Sequence, residues 1–428
     1  MKYVLLMGRG LEGAGNTKYA VELQAYIEST GNECVTYANK DKHWGREKSH
    51  DNHVEIISYA KNAEELKAAC KSADRVIVLS VPAKNFTAET KDAFLDIVKE
   101  TYEAGVPTTY IQVDHKIHSI NRNFYAEDAY EVFFRYISRV ITHSKDGDFV
   151  RFCKKHELTL NNLVTASDKL NGINGLDFDK YKRFWKTFEE KEYRTIKFLG
   201  RVAEWKGPWL FREMHEKCFR EKGFISTLEG IEMSIQSLQF LYTSWDPVKI
   251  VREDTTLWTT ADMGTKLDNG ELTFERYHNV YCLPPYNNEK AMDRMSRQQF
   301  GVELLLLDDR FLPDIMEYAM MEIVAVGTVP IYRKRWGELF KINGKPLIDF
   351  GEECGMVFLD ENNPEEAVNL VCELSDNKEK YLKYRENAFN FCKKYLDTKV
   401  IFKQLLDIIN KDEQTPSDVV FYKEVSLF

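Results

Sequence analysis

The chain has 428 residues, of which 43% are hydrophobic and 30% charged, with a formal net charge of −9. A chain of this length is too long for one ordinary hydrophobic core, so we expect two or three domains. The negative charge argues against a general nucleic-acid binder, because phosphate contacts need an excess of lysine and arginine. No apolar run approaches the ~20 residues of a membrane helix, and the eight cysteines form no CxxC pair. We therefore predict a cytoplasmic protein with reduced thiols and no membrane partner.

The first half of the chain alternates strand and helix patterns. Strands are predicted at 3–7, 34–38, 74–83, 106–115 and 139–144, and helices at 17–30, 63–72 and 90–104. This alternation predicts a parallel sheet with right-handed crossovers. Ligands of such sheets bind at the carboxyl ends of the strands. Gly10, Asp114 and His143 each follow a predicted strand, so we expect them to face one crevice.

The second half predicts another α/β domain. A charged and aromatic stretch at 177–192 has no strand pattern, and we place the linker near it. The next domain begins with a strand at 195–200 and has its last strand at 355–360. A helix opens after Asn363, and a helical run at 378–409 is predicted to return the chain to the first domain. The predicted divisions are 1–185, 195–395, and a C-terminal helix and tail at 396–428.

A glycine-rich segment, MGRGLEGAG, follows the first predicted strand. Glycine lets backbone N–H groups approach an anionic ligand closely. Gly10, Gly13 and Gly15 are therefore candidate residues for binding the donor substrate, a nucleotide-sugar. The segment also matches the G-x-G-x-x-G motif of NAD-binding proteins. That alternative needs an acid at the end of the second strand to bind the ribose, and this strand ends in Asn39 and Lys40 instead.

A second phosphate signature, FLGRVAEWKG, places two cations after a strand. Arg201 and Lys206 can bind a diphosphate and stabilise the charge of a departing nucleoside diphosphate. Glu322 begins the segment EIVAVGTVPI, and its carboxylate can accept both hydroxyls of a ribose. Glu317 offers a second polar contact nearby. Together these residues predict a nucleotide-sugar donor site.

Metal ligands are weakly indicated. Two Asp-x-Asp matches, at 146–148 and 177–179, lack the strand context of a metal site, and we expect both to be structural. The histidine pairs at 50 and 53 and at 115 and 118 have no readable third ligand. We therefore expect no metal, and no required cofactor beyond the donor substrate.

Basic residues gather in two segments that follow predicted strands. A solvated loop is the alternative reading of each segment, and a DNA contact is the functional one. The candidate DNA-binding residues are Lys40, Lys42, Arg46 and Lys48 in the first segment, and Lys116 and Arg122 in the second.

Blocks over nearly the whole chain resemble the DNA α-glucosyltransferases of T-even bacteriophages. They include RGLEGAGNTK, QVDHKIHSINRN, GRVAEWKG, STLEGIEMS and EYAMMEIVAVGTVP. The resemblance implies a GT-B fold, in which two Rossmann-like domains face each other across a cleft. It implies a DNA domain at 1–185 and a UDP-sugar domain at 195–395. It also implies a retaining enzyme of the infected bacterial cytoplasm, which we expect to be a monomer.

The resemblance also assigns roles by position. Arg201, Lys206 and Gly13 would hold the diphosphate of a UDP-sugar, Glu322 would hold the ribose, and Glu229–Gly230 would lie near the uracil. Arg201 and Lys206 would also act in catalysis by stabilising UDP as it leaves.

On the acceptor side, Asp114 and His115 would face the hydroxyl of 5-hydroxymethylcytosine in double-stranded DNA. The chain has Val113 where the family pattern has a histidine. Glucose is the first expectation for the sugar and arabinose the second. Transfer to a non-DNA acceptor, a non-catalytic nucleotide-sugar or DNA-binding protein, and an NAD enzyme remain as alternatives.

Overall fold

The computed structural model describes residues 1–8, 15–40, 54–82, 86–113, 133–142, 163–165, 171–201, 206–231, 248–250, 274–276, 280–283, 288–305 and 316–411. The chain divides into two compact units. One unit contains Met1–Gly175, Asp309–Ile315 and Thr398–Phe428, and the other contains Leu176–Asp308 and Met316–Asp397.

The first unit is built on a parallel sheet. Its strands are β1 (Lys2–Met7), β2 (Glu33–Asn39), β3 (Val54–Ile57), β4 (Arg75–Ser80), β5 (Thr108–Ile111), β6 (Arg139–Thr142) and β7 (Leu163–Thr165). Their order is β3-β2-β1-β4-β5-β6-β7, and every pairing is parallel. This is the Rossmann order, which reverses between β1 and β4.

Three helices of the first unit are α1 (Gly15–Ser29), α2 (Ala63–Lys71) and α3 (Ala88–Glu103), with a 3₁₀ turn at Phe134–Tyr136. Aromatic rings fill the core on one face of the sheet. The ring of Phe133 lies 5.7 Å from that of Phe94 and 5.2 Å from that of Tyr110. These rings pack with buried aliphatic side chains, and burial of both kinds of side chain stabilises this core.

The second unit contains a second parallel sheet. Its strands are β8 (Glu192–Arg201), β9 (Ile225–Ile231), β12 (Val280–Leu283), β13 (Gln298–Glu303), β14 (Val329–Arg333) and β17 (Val357–Leu359). The order is β12-β9-β8-β13-β14-β17, again with parallel pairings. It repeats the Rossmann order of the first unit, with the reversal between β8 and β13.

Smaller elements complete the described part of this unit. Two antiparallel pairs are formed by β10 (Val248–Ile250) with β11 (Phe274–Arg276), and by β15 (Lys341–Ile342) with β16 (Lys345–Pro346). The helices are α4 (Phe178–Tyr181), α5 (Pro208–Met214), α6 (Asn288–Ser296), α7 (Tyr318–Ala325), α8 (Lys334–Leu339), α9 (Glu365–Asp376) and α10 (Lys378–Leu396). Two 3₁₀ segments are at Lys182–Phe184 and Leu347–Cys354, and a π-helical turn is at His215–Phe219.

The prediction of one helical run at 378–409 is wrong, because the structure has two helices in this range. Asp397, with φ −65° and ψ 148°, separates α10 from α11 (Thr398–Ile409) and forms a parallel bridge with Leu176. The predicted return to the first domain is confirmed. The ring of Phe402 in α11 packs 5.5 Å from that of Tyr19 in α1.

Among the residues described, no helix combines the length and apolar character that a membrane span requires.

Candidate functional site

The site in the second unit lies where the strand order reverses, at the carboxyl ends of β8 and β13. At such a point, the connections that follow two adjacent strands run to opposite faces of the sheet, and the space between them forms a crevice that can bind a ligand. Lys206 follows β8, Glu303 is the last residue of β13, and Glu317 directly precedes α7. Three charged or titratable residues from distant parts of the sequence therefore meet at one edge of the sheet.

A glycine fixes the turn that carries Lys206. Gly207 has φ +76°, a left-handed conformation that favours glycine, and it caps α5, which begins with Pro208. A Cβ atom at this position would lie 1.8 Å from the carbonyl oxygen of Leu304. The backbone beside Lys206 therefore lies directly against the exit of β13.

Lys206 is a largely buried cation between two carboxyl groups. Its Nζ lies 2.9 Å from Oε2 of Glu317 and 3.9 Å from Oε1 of Glu303. The side chain of Lys206 is 10% exposed, and that of Glu303 is 2% exposed. Charges this poorly hydrated interact more strongly than surface pairs, so a polyanionic ligand at this position would meet a strong, short-range cation.

Glu303 is a member of this cluster that the sequence analysis did not single out. Within the described ranges, neither of its carboxylate oxygens has a hydrogen-bond partner, and the same is true of the buried hydroxyl of Tyr332, its register partner on β14. Burial raises the pKa of Glu303 to about 8, against the opposing effect of Lys206. Burial also raises the pKa of Tyr332, and the nearby Glu303 adds to that shift. Glu303 is therefore mostly the neutral acid at pH 7.

Glu322 lies in the last turn of α7 and is 3% exposed. Two glycines seat this helix. A Cβ atom at Gly301 on β13 would lie 2.5 Å from Cγ2 of Ile323, so only glycine allows the helix so close to the strand. After the helix, Gly327 has φ +72° and packs against the ring of Trp185. The Ala-x-Gly-Thr segment thus sets the position of Glu322 through backbone contacts.

The backbone places three more predicted donor residues at the same edge. Arg201 is the last residue of β8, and Glu229 and Gly230 on β9 pair with Leu199 and Gly200. The main chain of these residues therefore lies at the carboxyl ends of β8 and β9, and their role in donor binding stays a prediction.

In the first unit, Gly15 is the first residue of α1, and Lys40 follows β2 as an exposed residue whose N–H donates to the carbonyl of Ile57 at 3.0 Å. The other predicted residues of this unit lie outside the described residues: Gly10, Gly13, Lys42, Arg46, Lys48, Asp114, His115, Lys116, Arg122 and His143.

The Asp-x-Asp match at 177–179 lies at the start of α4, where both carboxylates have protein partners. Asp177 accepts a hydrogen bond from the N–H of Lys180 at the start of α4, and Asp179 pairs with Lys393 at 2.7 Å. The match at 146–148 lies outside the described residues. Within the described ranges, no group of three or more His, Cys, Asp or Glu side chains is arranged to hold a metal ion.

The chain matches known proteins over nearly its full length. It is 27% identical over 421 residues to the DNA alpha-glucosyltransferase of Enterobacteria phage T4, covering 96% of this chain and 100% of that protein. A solved alpha-glucosyltransferase in complex with UDP and a 13-mer DNA containing an HMU base superposes with a TM-score of 0.82. It is 25% identical, and the match covers 96% of this chain and 100% of that one.

A further alpha-glucosyltransferase structure, with UDP-glucose and DNA containing an abasic site, has a TM-score of 0.81 at 25% identity, with 96% and 100% coverage. These similarities, with the two Rossmann-type sheets, confirm the predicted GT-B fold class. The family model for DNA alpha-glucosyltransferase matches residues 14–379. The chain therefore belongs to the DNA alpha-glucosyltransferase family, whose members are UDP-sugar-dependent enzymes.

Proposed function

We propose that this protein is a retaining glucosyltransferase that moves glucose from UDP-glucose to the hydroxyl of 5-hydroxymethylcytosine in double-stranded DNA. The observation that carries the proposal is Lys206, held by a glycine turn at the switch point of a nucleotide-binding sheet. Family membership supports the same activity. The related structures that contain UDP, UDP-glucose and modified DNA support the choice of donor and acceptor.

In this proposal, Lys206 and Arg201 contact the diphosphate, and Glu322 accepts the ribose hydroxyls. Glu229–Gly230 lies beside the uracil. As the bond between the anomeric carbon and the UDP oxygen breaks, the cations stabilise the charge that UDP gains. A cation can supply this stabilisation without a metal ion, so none is required.

Retention follows from attack on the face that UDP leaves. The hydroxymethyl oxygen bonds to the anomeric carbon, and its proton passes to the departing phosphate oxygen. Asp114, beside His115, is the alternative base for that proton. Because a base inside a duplex cannot reach a closed site, the target base must leave the stack, at a cost of a few kcal/mol.

The DNA face is proposed for the N-terminal domain, in the basic segments 40–48 and 116–122. Charge reversal at Arg46 and Arg122 should reduce modification of DNA, with a steep salt dependence in wild type, and leave UDP binding intact. Charge reversal at the exposed Lys341, on β15 of the second unit, is the matched control. Normal modification by the Arg46 and Arg122 variants at moderate salt would place the DNA contact elsewhere.

The activity itself is tested with hydroxymethylated and plain duplex DNA and a panel of UDP-sugars. The products are digested to nucleosides and weighed by mass spectrometry. We expect one hexose on 5-hydroxymethylcytosine with UDP-glucose and no change in plain DNA. If a pentose were added from UDP-arabinose instead, the transferred sugar would be arabinose and the assignment of glucose would be wrong. Modification of free nucleotides or glycans alone would refute the DNA acceptor.

A further inference from the structure

Glu303 is buried, titratable and unused by the proposed mechanism. It lies at the end of a strand in which every residue is buried. Both of its oxygens lack hydrogen-bond partners among the described residues, a costly arrangement for a carboxylate and a tolerable one for a neutral acid. Its nearest cation, Lys206, stands 3.9 Å away and is engaged more closely by Glu317.

The charges around Lys206 limit what the site can bind. The described groups that act on Glu303 are Lys206, after β8, and Glu317, before α7. Tyr332, on β14, is a further titratable neighbour, and the thiol of Cys392 on α10 acts on Tyr332. If Glu303 and Glu317 were both ionised, the charge of Lys206 would be outweighed, and a diphosphate would meet a net negative cluster.

We propose that Glu303 is a positioning residue for Lys206: as the neutral acid it lets the ammonium group turn toward the donor diphosphate, and as the carboxylate it holds that group back. This inference rests on the proposed function, in which Lys206 binds the donor. Glu303 touches no substrate in this scheme and acts through the lysine.

The geometry supports a coupling between these two residues. The backbone of Gly207, next to Lys206, lies against the carbonyl of Leu304, next to Glu303. The side chain of Trp336 donates to the carbonyl of Leu305 at 3.1 Å, which fixes the exit of β13. These backbone contacts hold both main-chain segments, so a change of charge on Glu303 acts mainly on the ammonium group of Lys206, 3.9 Å away.

The test is the affinity for UDP-glucose as a function of pH, measured by calorimetry between about pH 7 and about pH 9. The diphosphate of UDP-glucose is esterified to ribose at one end and to glucose at the other. Its charge is therefore constant over this pH range. With a pKa of about 8 for Glu303, the neutral fraction falls about tenfold across the range, and wild-type affinity should fall by a similar factor.

Glu303→Gln keeps the shape of the neutral acid and cannot ionise, so its affinity should change by less than about twofold over the same range. Glu338→Gln is the matched control, because Glu338 is exposed on α8. It should keep the wild-type profile. Thermal melts confirm that each variant is folded.

The outcomes separate the two proposals. A flat wild-type profile, which needs no variant, would overturn the role of Glu303 alone. So would an equal fall in wild type and in Glu303→Gln. No UDP-glucose binding by wild type at any pH would overturn the proposed function, and the role of Glu303 with it.

Discussion

Gly207→Ala is the substitution that tests most sharply how the donor site is built. Two costs add at this position. An alanine at φ +76° pays roughly 1–2 kcal/mol for the left-handed conformation. Its methyl group would also lie 1.8 Å from the carbonyl oxygen of Leu304, so the two backbone segments must separate by more than about 1 Å.

The expected loss of stability is about 3–5 kcal/mol, with a weakening of UDP binding on the order of 100-fold because Lys206 moves with the turn. Gly344→Ala provides the matched control. Gly344 has φ +80°, and a Cβ atom there meets nothing within 4 Å. It should lose only the conformational share, roughly 1–2 kcal/mol, and bind UDP like wild type.

Urea unfolding measures the first quantity for both variants, and calorimetry with UDP measures the second. The reasoning is refuted if Gly207→Ala is no less stable than Gly344→Ala. It is refuted equally if Gly207→Ala binds UDP as tightly as wild type.

Three further predictions concern the same unit. Glu322→Ala should weaken UDP binding by roughly 1–3 kcal/mol, because polar partners lose their acceptor; unchanged affinity in calorimetry would remove Glu322 from the site. The pKa of Glu303 in the folded state is about 8, above its ordinary value of 4.5. The protonated Glu303 therefore contributes fully to stability below pH 4.5, and this contribution is lost as the pH rises through about 8. Raising the pH from about 5 to about 8 should therefore lower the free energy of unfolding of wild type more than that of Glu303→Gln, by on the order of a few kcal/mol. Urea titrations at both pH values measure this change, and equal changes in the two proteins would contradict the prediction. EDTA should leave most transferase activity, since Arg201 and Lys206 supply the positive charge; complete loss that added metal restores would point to an ion site.

Apolar runs made five of the seven strands of the first sheet predictable, namely β1, β2, β4, β5 and β6. The run before the glycine-rich segment is β1, and the strand that ends in Arg201 is β8. β3, at the edge of the sheet, was not predicted, because it has only four residues and none of them is fully buried. β7, at the other edge, was also not predicted, and its three residues are too few for a clear pattern.

The break between α10 and α11 shows a different limit. No proline or glycine interrupts the sequence there, so the helical pattern runs on through Asp397. The break coincides with the bridge between Asp397 and Leu176, a contact across the chain that local sequence cannot reveal. Local preferences are overridden at such points by tertiary packing.

Of the cluster around Lys206, the lysine and Glu317 were singled out from the sequence and Glu303 was not. Lys206 could be singled out because Trp205 and Gly207 flank it and a predicted strand precedes it in the sequence. Glu303 reads as an ordinary strand end, and only the fold places it beside Lys206 in a dry environment. Its raised pKa depends on burial, which no local pattern encodes.

The central claim is that the site around Lys206 drives transfer of glucose to DNA. Its most direct test is the fraction of 5-hydroxymethylcytosine converted per unit time with UDP-glucose, for wild type, Lys206→Met and the exposed control Lys341→Met. The account predicts conversion by wild type and by the control, and a loss on the order of 10²–10³-fold for Lys206→Met. Conversion by Lys206→Met at the wild-type rate, or none by wild type, would contradict it.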